Sequence, residues 1–267
     1  MKKIYLIVAV SVLGLFCTNV EAQILVEQGK VIEVIAPGET VTGVLNIHNT
    51  SGEPINVIGY WEDFDYVEPY NGNKKFLPAG AGEKSASEWI NLSPTSFQLA
   101  PFQRKEVSYV INPPQDSTGG YYGVVFFEKE SPDVDSRLGV RIVSRVGSLF
   151  FLESVDQKRS GRYENIVTEG SGFTGKFTNE GNVILIAEGV YFILDAEGLA
   201  VDRGEVPNIY LPPGKTADYK IPFSNELTAG SYTLLLTVDL GEGASLVKEI
   251  DFQKTSSGDM TIKEVRD

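Results

Sequence analysis

Apolar and polar positions alternate in short runs along this chain from residue 23 onward. The runs are rich in Val, Ile, Phe and Tyr, and turn clusters such as Pro37-Gly38, Thr50-Ser51-Gly52 and Pro113-Pro114 separate them. A period of two predicts half-buried strands, and no stretch of ten or more residues carries a helical period. The strands predicted in the first half are 31–35, 41–48, 55–64, 97–99, 107–111, 121–128, 139–144 and 148–153. Those in the second half are 172–178, 190–195, 217–222, 232–239 and 246–252. Short strands at this spacing fit sandwiches rather than a parallel sheet wound with helices.

An internal repeat sharpens that reading. Tyr109, Ile111, Thr118, Gly120 and Tyr122 recur 110 positions later as Tyr219, Ile221, Thr228, Gly230 and Tyr232, and Leu99-Ala-Pro101 is echoed by Leu211-Pro-Pro213. Glycine permits a tight approach to the strand. The tyrosine two residues on can bury its ring while its hydroxyl meets a backbone partner, a habit of immunoglobulin-like corners. The predicted fold is all-β: two tandem immunoglobulin-like β-sandwich domains after a cleaved signal peptide. The expected boundaries are 1–22 signal peptide, 23–154 first sandwich, 155–162 polar linker (Asp156-Gln-Lys-Arg-Ser-Gly), 163–253 second sandwich and 254–267 polar tail.

The leader rests on Lys2 and Lys3, the apolar run 4–16, and Val20-Glu21-Ala22, which places small residues where a signal peptidase reads. Its removal takes away Cys17, the only cysteine of the 267 residues. Disulfides, thiol nucleophiles and cysteine-based metal sites are then excluded. With 23 Lys+Arg against 36 Asp+Glu, the net charge of −13 argues against nucleic acid and against anionic membrane surfaces as partners. No second long apolar run follows the leader, so the mature chain is expected to carry no transmembrane segment and to be exported, periplasmic or cell-surface associated.

The order of motifs in the first half is Pro37-Gly-Glu-Thr40, Asn46-Ile-His-Asn49, Trp89-Ile-Asn-Leu-Ser-Pro94, Phe97-Gln-Leu-Ala-Pro101, Tyr109-Val-Ile-Asn-Pro-Pro114 and Gly119-Gly-Tyr-Tyr-Gly-Val-Val125. It resembles the Ig-like peptidoglycan-binding domain of WxL-interacting cell-surface proteins and, more distantly, the first domain of periplasmic pilus chaperones. Phe177-Thr-Asn-Glu-Gly-Asn182 and Asp195-Ala-Glu-Gly198 resemble the sandwich that follows in the WxL-interacting family. The first resemblance implies a wall or surface-protein partner. The second implies a pair of cations holding a subunit's terminal carboxylate. Arg141 matches the cation on the last strand, whereas Val31-Ile-Glu33-Val carries an anion on the first.

No catalytic arrangement emerges. His48, the single histidine, falls on the polar face of strand 41–48, and no Gly-x-Ser-x-Gly elbow is present. The clusters Glu62, Asp63, Asp65, Glu68 and Asp133, Asp135 lack calcium-loop spacing and read as solvated faces, and neither metal nor cofactor is expected. The segment 65–88 is longer than a hairpin needs. Trp61, Phe64, Tyr66, Tyr70 and Trp89 in and around it are candidate platforms for a sugar ring or a peptide. Strands 139–144 and 148–151, with Arg141 and Arg145, form a candidate edge for pairing with a partner's strand. The expected function is non-catalytic binding or scaffolding in the cell envelope, against another surface protein or peptidoglycan. The alternative is a chaperone-like assembly factor acting by strand pairing.

Overall fold

The computed structural model describes residues 23–130 and 143–267. The leader 1–22, Asp133, Asp135, Arg141 and most of the predicted strand 139–144 lie outside the described residues. Ten strands build the first half: β1 (Ile24–Val26), β2 (Lys30–Ile35), β3 (Val41–Asn49), β4 (Ile55–Tyr66), β5 (Lys74–Pro78), β6 (Ile90–Ser93), β7 (Ser96–Leu99), β8 (Arg104–Ile111), β9 (Gly120–Lys129) and β10 (Arg145–Ser154). Eight follow: β11 (Gly161–Glu169), β12 (Gly172–Asn179), β13 (Leu185–Leu194), β14 (Ala200–Leu211), β15 (Thr216–Pro222), β16 (Gly230–Gly241), β17 (Ala244–Lys254) and β18 (Met260–Arg266). The fold is all-β, as the alternation predicts.

The first sandwich faces a four-stranded sheet, β1-β3-β8-β6, with a six-stranded one, β2-β10-β9-β4-β5 with β7 also on β4. Its first segment stitches the two together. β1 runs antiparallel to β3, then β2 crosses over and runs parallel to β10. Alternate side chains fill the space between the sheets: Leu45, Ile47, Val107 and Ile111 meet Val57, Val125, Phe127, Phe150 and Leu152. The second sandwich sets β11-β12-β15 against β14-β13-β16-β17-β18. Tyr163, Phe173, Phe177 and Tyr219 there pack against Leu185, Tyr191, Leu234, Ile250 and Phe252. Among the described residues no helix is long and apolar enough to cross a membrane.

The repeat has a physical basis at each sandwich corner. A Cβ on Gly120 would overlap the hydroxyl of Tyr122, and one on Gly230 would stand 3.2 Å from that of Tyr232, so each glycine makes room for the ring two residues on. Tyr232 then donates to the carbonyl of Thr228 at 2.9 Å, closing its own corner. Tyr122 turns outward from its sandwich, and its hydroxyl accepts the N–H of Ile184 in the other half at 2.7 Å. A further correspondence is buried. The Asn49 amide donates to the carbonyls of Glu53 and Ala100 while its oxygen accepts from Ser51 N–H. Asn179 donates to Val183 and Leu211 and accepts from Gly181 N–H. Each asparagine thus ties the end of its strand to the Leu-x-Pro turn that the repeat brings alongside.

Edge strands account for what alternation did not reveal. β14 reads as polar because it is an edge, carrying Pro207 and two register shifts against β13. β18 lies in the polar tail, where Arg266 pairs with Glu249, Asp251 and Glu264.

The equivalent tyrosines differ in one respect that stability measurements can read. Tyr109 donates to Glu33 at 3.2 Å, and burial together with that carboxylate pushes its hydroxyl up to about 12. The buried hydroxyl of Tyr219 has no hydrogen-bond partner among the described residues. Tyr219→Phe is therefore expected to leave the urea unfolding free energy unchanged or raised, and Tyr109→Phe to lower it by about 1 kcal/mol. A loss at Tyr219→Phe exceeding that at Tyr109→Phe contradicts the assignment.

Candidate functional site

The six-stranded sheet is apolar on both faces. From Tyr122 to Phe127 every residue of β9 is buried, because odd positions face the four-stranded sheet and even ones face outward. Pairing registers place Tyr60, Glu62, Phe64 and Tyr66 of β4 on that outward face. Tyr122, Val124 and Phe126 of β9, Leu149 and Phe151 of β10, and Lys30, Ile32 and Val34 of β2 join them.

Two kinds of cover meet this face, and a third part of it stays bare. At one end Phe64, Tyr66, Tyr122 and Phe151 belong to a cluster continuous with the core of the second sandwich. Phe64 meets Phe151 edge-on at 5.6 Å, and Tyr66 stacks on Tyr210 at 5.0 Å. In the middle lies Arg145. Its guanidinium is 3.7 Å from the ring centre of Phe126 and 5.4 Å from that of Phe76, and it donates to Glu62 at 2.6 Å and to the Tyr60 hydroxyl at 3.3 Å. Burial works against this cation, but Glu62 and Tyr60 outweigh it and raise its pKa. At the far side, on β2, Ile32 and Val34 remain 47% and 55% exposed.

Among the described residues the edge beside them carries no further strand: β2 pairs with β10 from Leu149 to Ser154, and Arg145 to Gly147 have a described partner strand, β9, on one side alone. The other edges each carry a guard: β1, β6 and β7 are short, β5 carries two lysines and a proline, β11 and β14 are bulged, β15 presents Asp218 and Lys220 and ends at Pro222, and β18 is strongly charged. β2 has neither proline nor bulge.

The sequence-derived candidates fall in separate places. Phe64, Tyr66 and Tyr70 are buried, between 2% and 7% exposed, and form part of the contact between the halves rather than a solvent-facing platform. Trp61 points to the inner face, edge-on to Phe150 at 4.9 Å, and its indole N–H has no partner among the described residues. Trp89 is half-buried against Tyr121, 4.2 Å between ring centres, with Lys84 over the same tyrosine. Arg145 lies on the outward face and Arg141 outside the described residues. Ile32, Val34 and Phe126 carry no site motif in the sequence; the unbroken run Val124-Val-Phe-Phe127, apolar at successive positions, is the signal for a strand covered on both sides.

The acidic cluster near the end of β4 is divided between faces. Glu62 pairs with Arg145, while buried Asp63 accepts from the hydroxyls of Ser85 and Ser87 and from Gly82 N–H, holding the segment after β5 against the sheet. Among the described residues no three His, Cys, Asp or Glu side chains gather as metal ligands. His48 is half-buried, with Nε2 3.2 Å from the Phe102 carbonyl.

Arg145→Ala is expected to bare Phe126 while costing only about 1–2 kcal/mol, the scale of one cation–π contact plus one partly exposed ion pair. Binding of an anilinonaphthalene sulfonate dye should rise several-fold in the folded variant. Unchanged dye binding would show that Arg145 does not cover the face.

No protein-family model matches the sequence, and no curated protein matches it. Among solved structures the chain is similar to a chain of a chaperone–tip adhesin complex of CFA/I fimbriae biogenesis, at 14% identity and TM-score 0.51, over 85% of this chain and 97% of that one. It is equally similar to the class 5 fimbriae chaperone CfaA, at 14% identity and TM-score 0.51, over 84% and 97%. The likeness is one of fold. It falls on the more distant of the two resemblances read from the motifs, and the WxL-interacting family gains no support from it. Two consecutive immunoglobulin-like sandwiches of the kind found in periplasmic pilus chaperones describe the architecture of this chain.

Proposed function

We propose that this protein is an exported, non-catalytic assembly factor that receives a strand of another envelope protein along the outer edge of β2. One observation carries the reading. Among the described residues, the backbone edge of β2 is unpaired, without proline or bulge, and lies next to exposed apolar side chains of the same strand, where an added strand gains main-chain bonds and side-chain pockets together. The shared fold supports the reading, since one of those structures is a chaperone–tip adhesin complex and the other a fimbriae chaperone. Scaffolding on peptidoglycan receives less support, because Phe64, Tyr66 and Tyr70 offer no exposed rings for a sugar. The reading also differs from a carboxylate-anchored chaperone at the first strand. Glu33 is turned toward Tyr109, and Lys30 is the cation that β2 presents on the outward face.

Co-expression in a periplasm with surface subunits encoded by neighbouring genes tests it. Ile32→Lys with Val34→Lys should reduce subunit retention at least ten-fold while leaving circular dichroism unchanged, since both side chains are exposed. Val190→Lys with Phe192→Lys, on the exposed face of the second sandwich, should leave retention intact. Sedimentation with insoluble peptidoglycan, unaffected by either pair, would favour wall binding instead.

A further inference from the structure

Two sandwiches joined by a short connector move relative to one another by default, because interfaces between domains resemble transient contacts. This chain departs from that default at two places far apart in sequence. The first is the connector itself. Ser154 N–H donates to the Gly119 carbonyl, Gly119 N–H to Asp156, and Gly120 N–H to the carbonyl of Asn182. Asn182 in turn accepts from Lys158 N–H at 2.6 Å and donates to the Asp156 carbonyl, and the Tyr122 hydroxyl takes the Ile184 N–H. Arg159 and Glu153, both nearly buried, pair at 2.6 Å across the same region.

The second place is the tip of the β4–β5 hairpin, which reaches the edge strand β14. Tyr210 N–H donates to the Tyr70 carbonyl at 2.8 Å, so the tip adds a main-chain bond to an edge that lacks a strand there. The ring of Tyr210 stacks on Tyr66 at an interplanar angle of 28°. Lys74 lies over both rings, 4.8 and 6.0 Å from their centres, and its ammonium donates to the Gly72 carbonyl. Gly72 has φ +99°, and a Cβ there would come within 3.0 Å of the Tyr210 ring. The backbone of the tip is therefore shaped to the ring it holds.

One point of attachment leaves a hinge, whereas two points apart from each other fix an orientation. We infer that the hairpin tip 66–74 is a clasp on Tyr210 that locks the second sandwich against the first, so that the two halves move as one rigid body. The clasp is independent of strand pairing at β2. Its release turns the connector from a brace into a pivot.

Spin labels at Ser108→Cys and Thr237→Cys, exposed positions in the two halves, test the inference in the full chain with Cys17→Ser. Double electron–electron resonance should give a single narrow distance distribution. Tyr210→Ala should at least double its width, Tyr210→Phe should restore it by keeping the stack, and Phe192→Ala should leave it unchanged. Gly72→Ala, which pushes a methyl into the Tyr210 ring, should broaden it as well and decides the matter should Tyr210→Ala fail to fold. A distribution already broad in the parent, or one that stays narrow in the folded clasp variants, overturns the inference.

Discussion

A sheet apolar on both faces must be covered on both, and that constraint organises this molecule. β9 cannot alternate apolar with polar residues, because its neighbours β4 and β10 are apolar outward as well as inward. One face is satisfied within the first sandwich by Leu45, Ile47 and Val107. The other receives partial cover, from the second sandwich around Tyr66 and Tyr122 and from Arg145 over Phe126. Cover runs out at β2, where Ile32 and Val34 meet water. Apolar area left in water is unfavourable by roughly 25 cal/mol per Å², so a partner strand laid there gains from burial as well as from main-chain bonds.

The second sandwich therefore has a structural task in addition to any contact of its own. It buries Phe64, Tyr66 and Phe151, and it is held in place by the connector network and by the hairpin tip on Tyr210. This explains why Tyr122, although it repeats Tyr232 in sequence, bonds across the halves instead of closing a local corner. Duplicated corners have been put to different uses, one to finish a sandwich and one to join two.

Much of this architecture was legible in the residues. Period-two alternation located most central strands, and the Gly-x-Tyr repeat marked the corners, because ring burial beside glycine leaves a strict local spacing. Edge strands β1, β5, β6, β11, β14 and β18 were not evident, since an edge is selected for charge, shortness and proline, and these erase the alternating signal. Among the candidate site residues, Phe64, Tyr66 and Tyr70 were noticed for their aromatic character, but a sequence does not tell an exposed ring from one buried against a second domain. Asn49 and Asn179 stand in the Asn-Ile-His-Asn and Phe-Thr-Asn-Glu-Gly-Asn motifs, yet their role depends on Leu99 and Leu211 arriving from distant strands. The edge of β2, unpaired among the described residues, follows from which strand fails to pair, a property of the whole sheet.

On the proposed function, the outer edge of β2 is where another chain is received. Hydrogen–deuterium exchange of the full chain, alone and in complex with a retained surface subunit, addresses it residue by residue. Slower exchange of the edge amides within 30–35 is expected in the complex, with β11 to β18 unchanged. Protection confined to the second sandwich, or to the region of Trp89 and Tyr121, would contradict it.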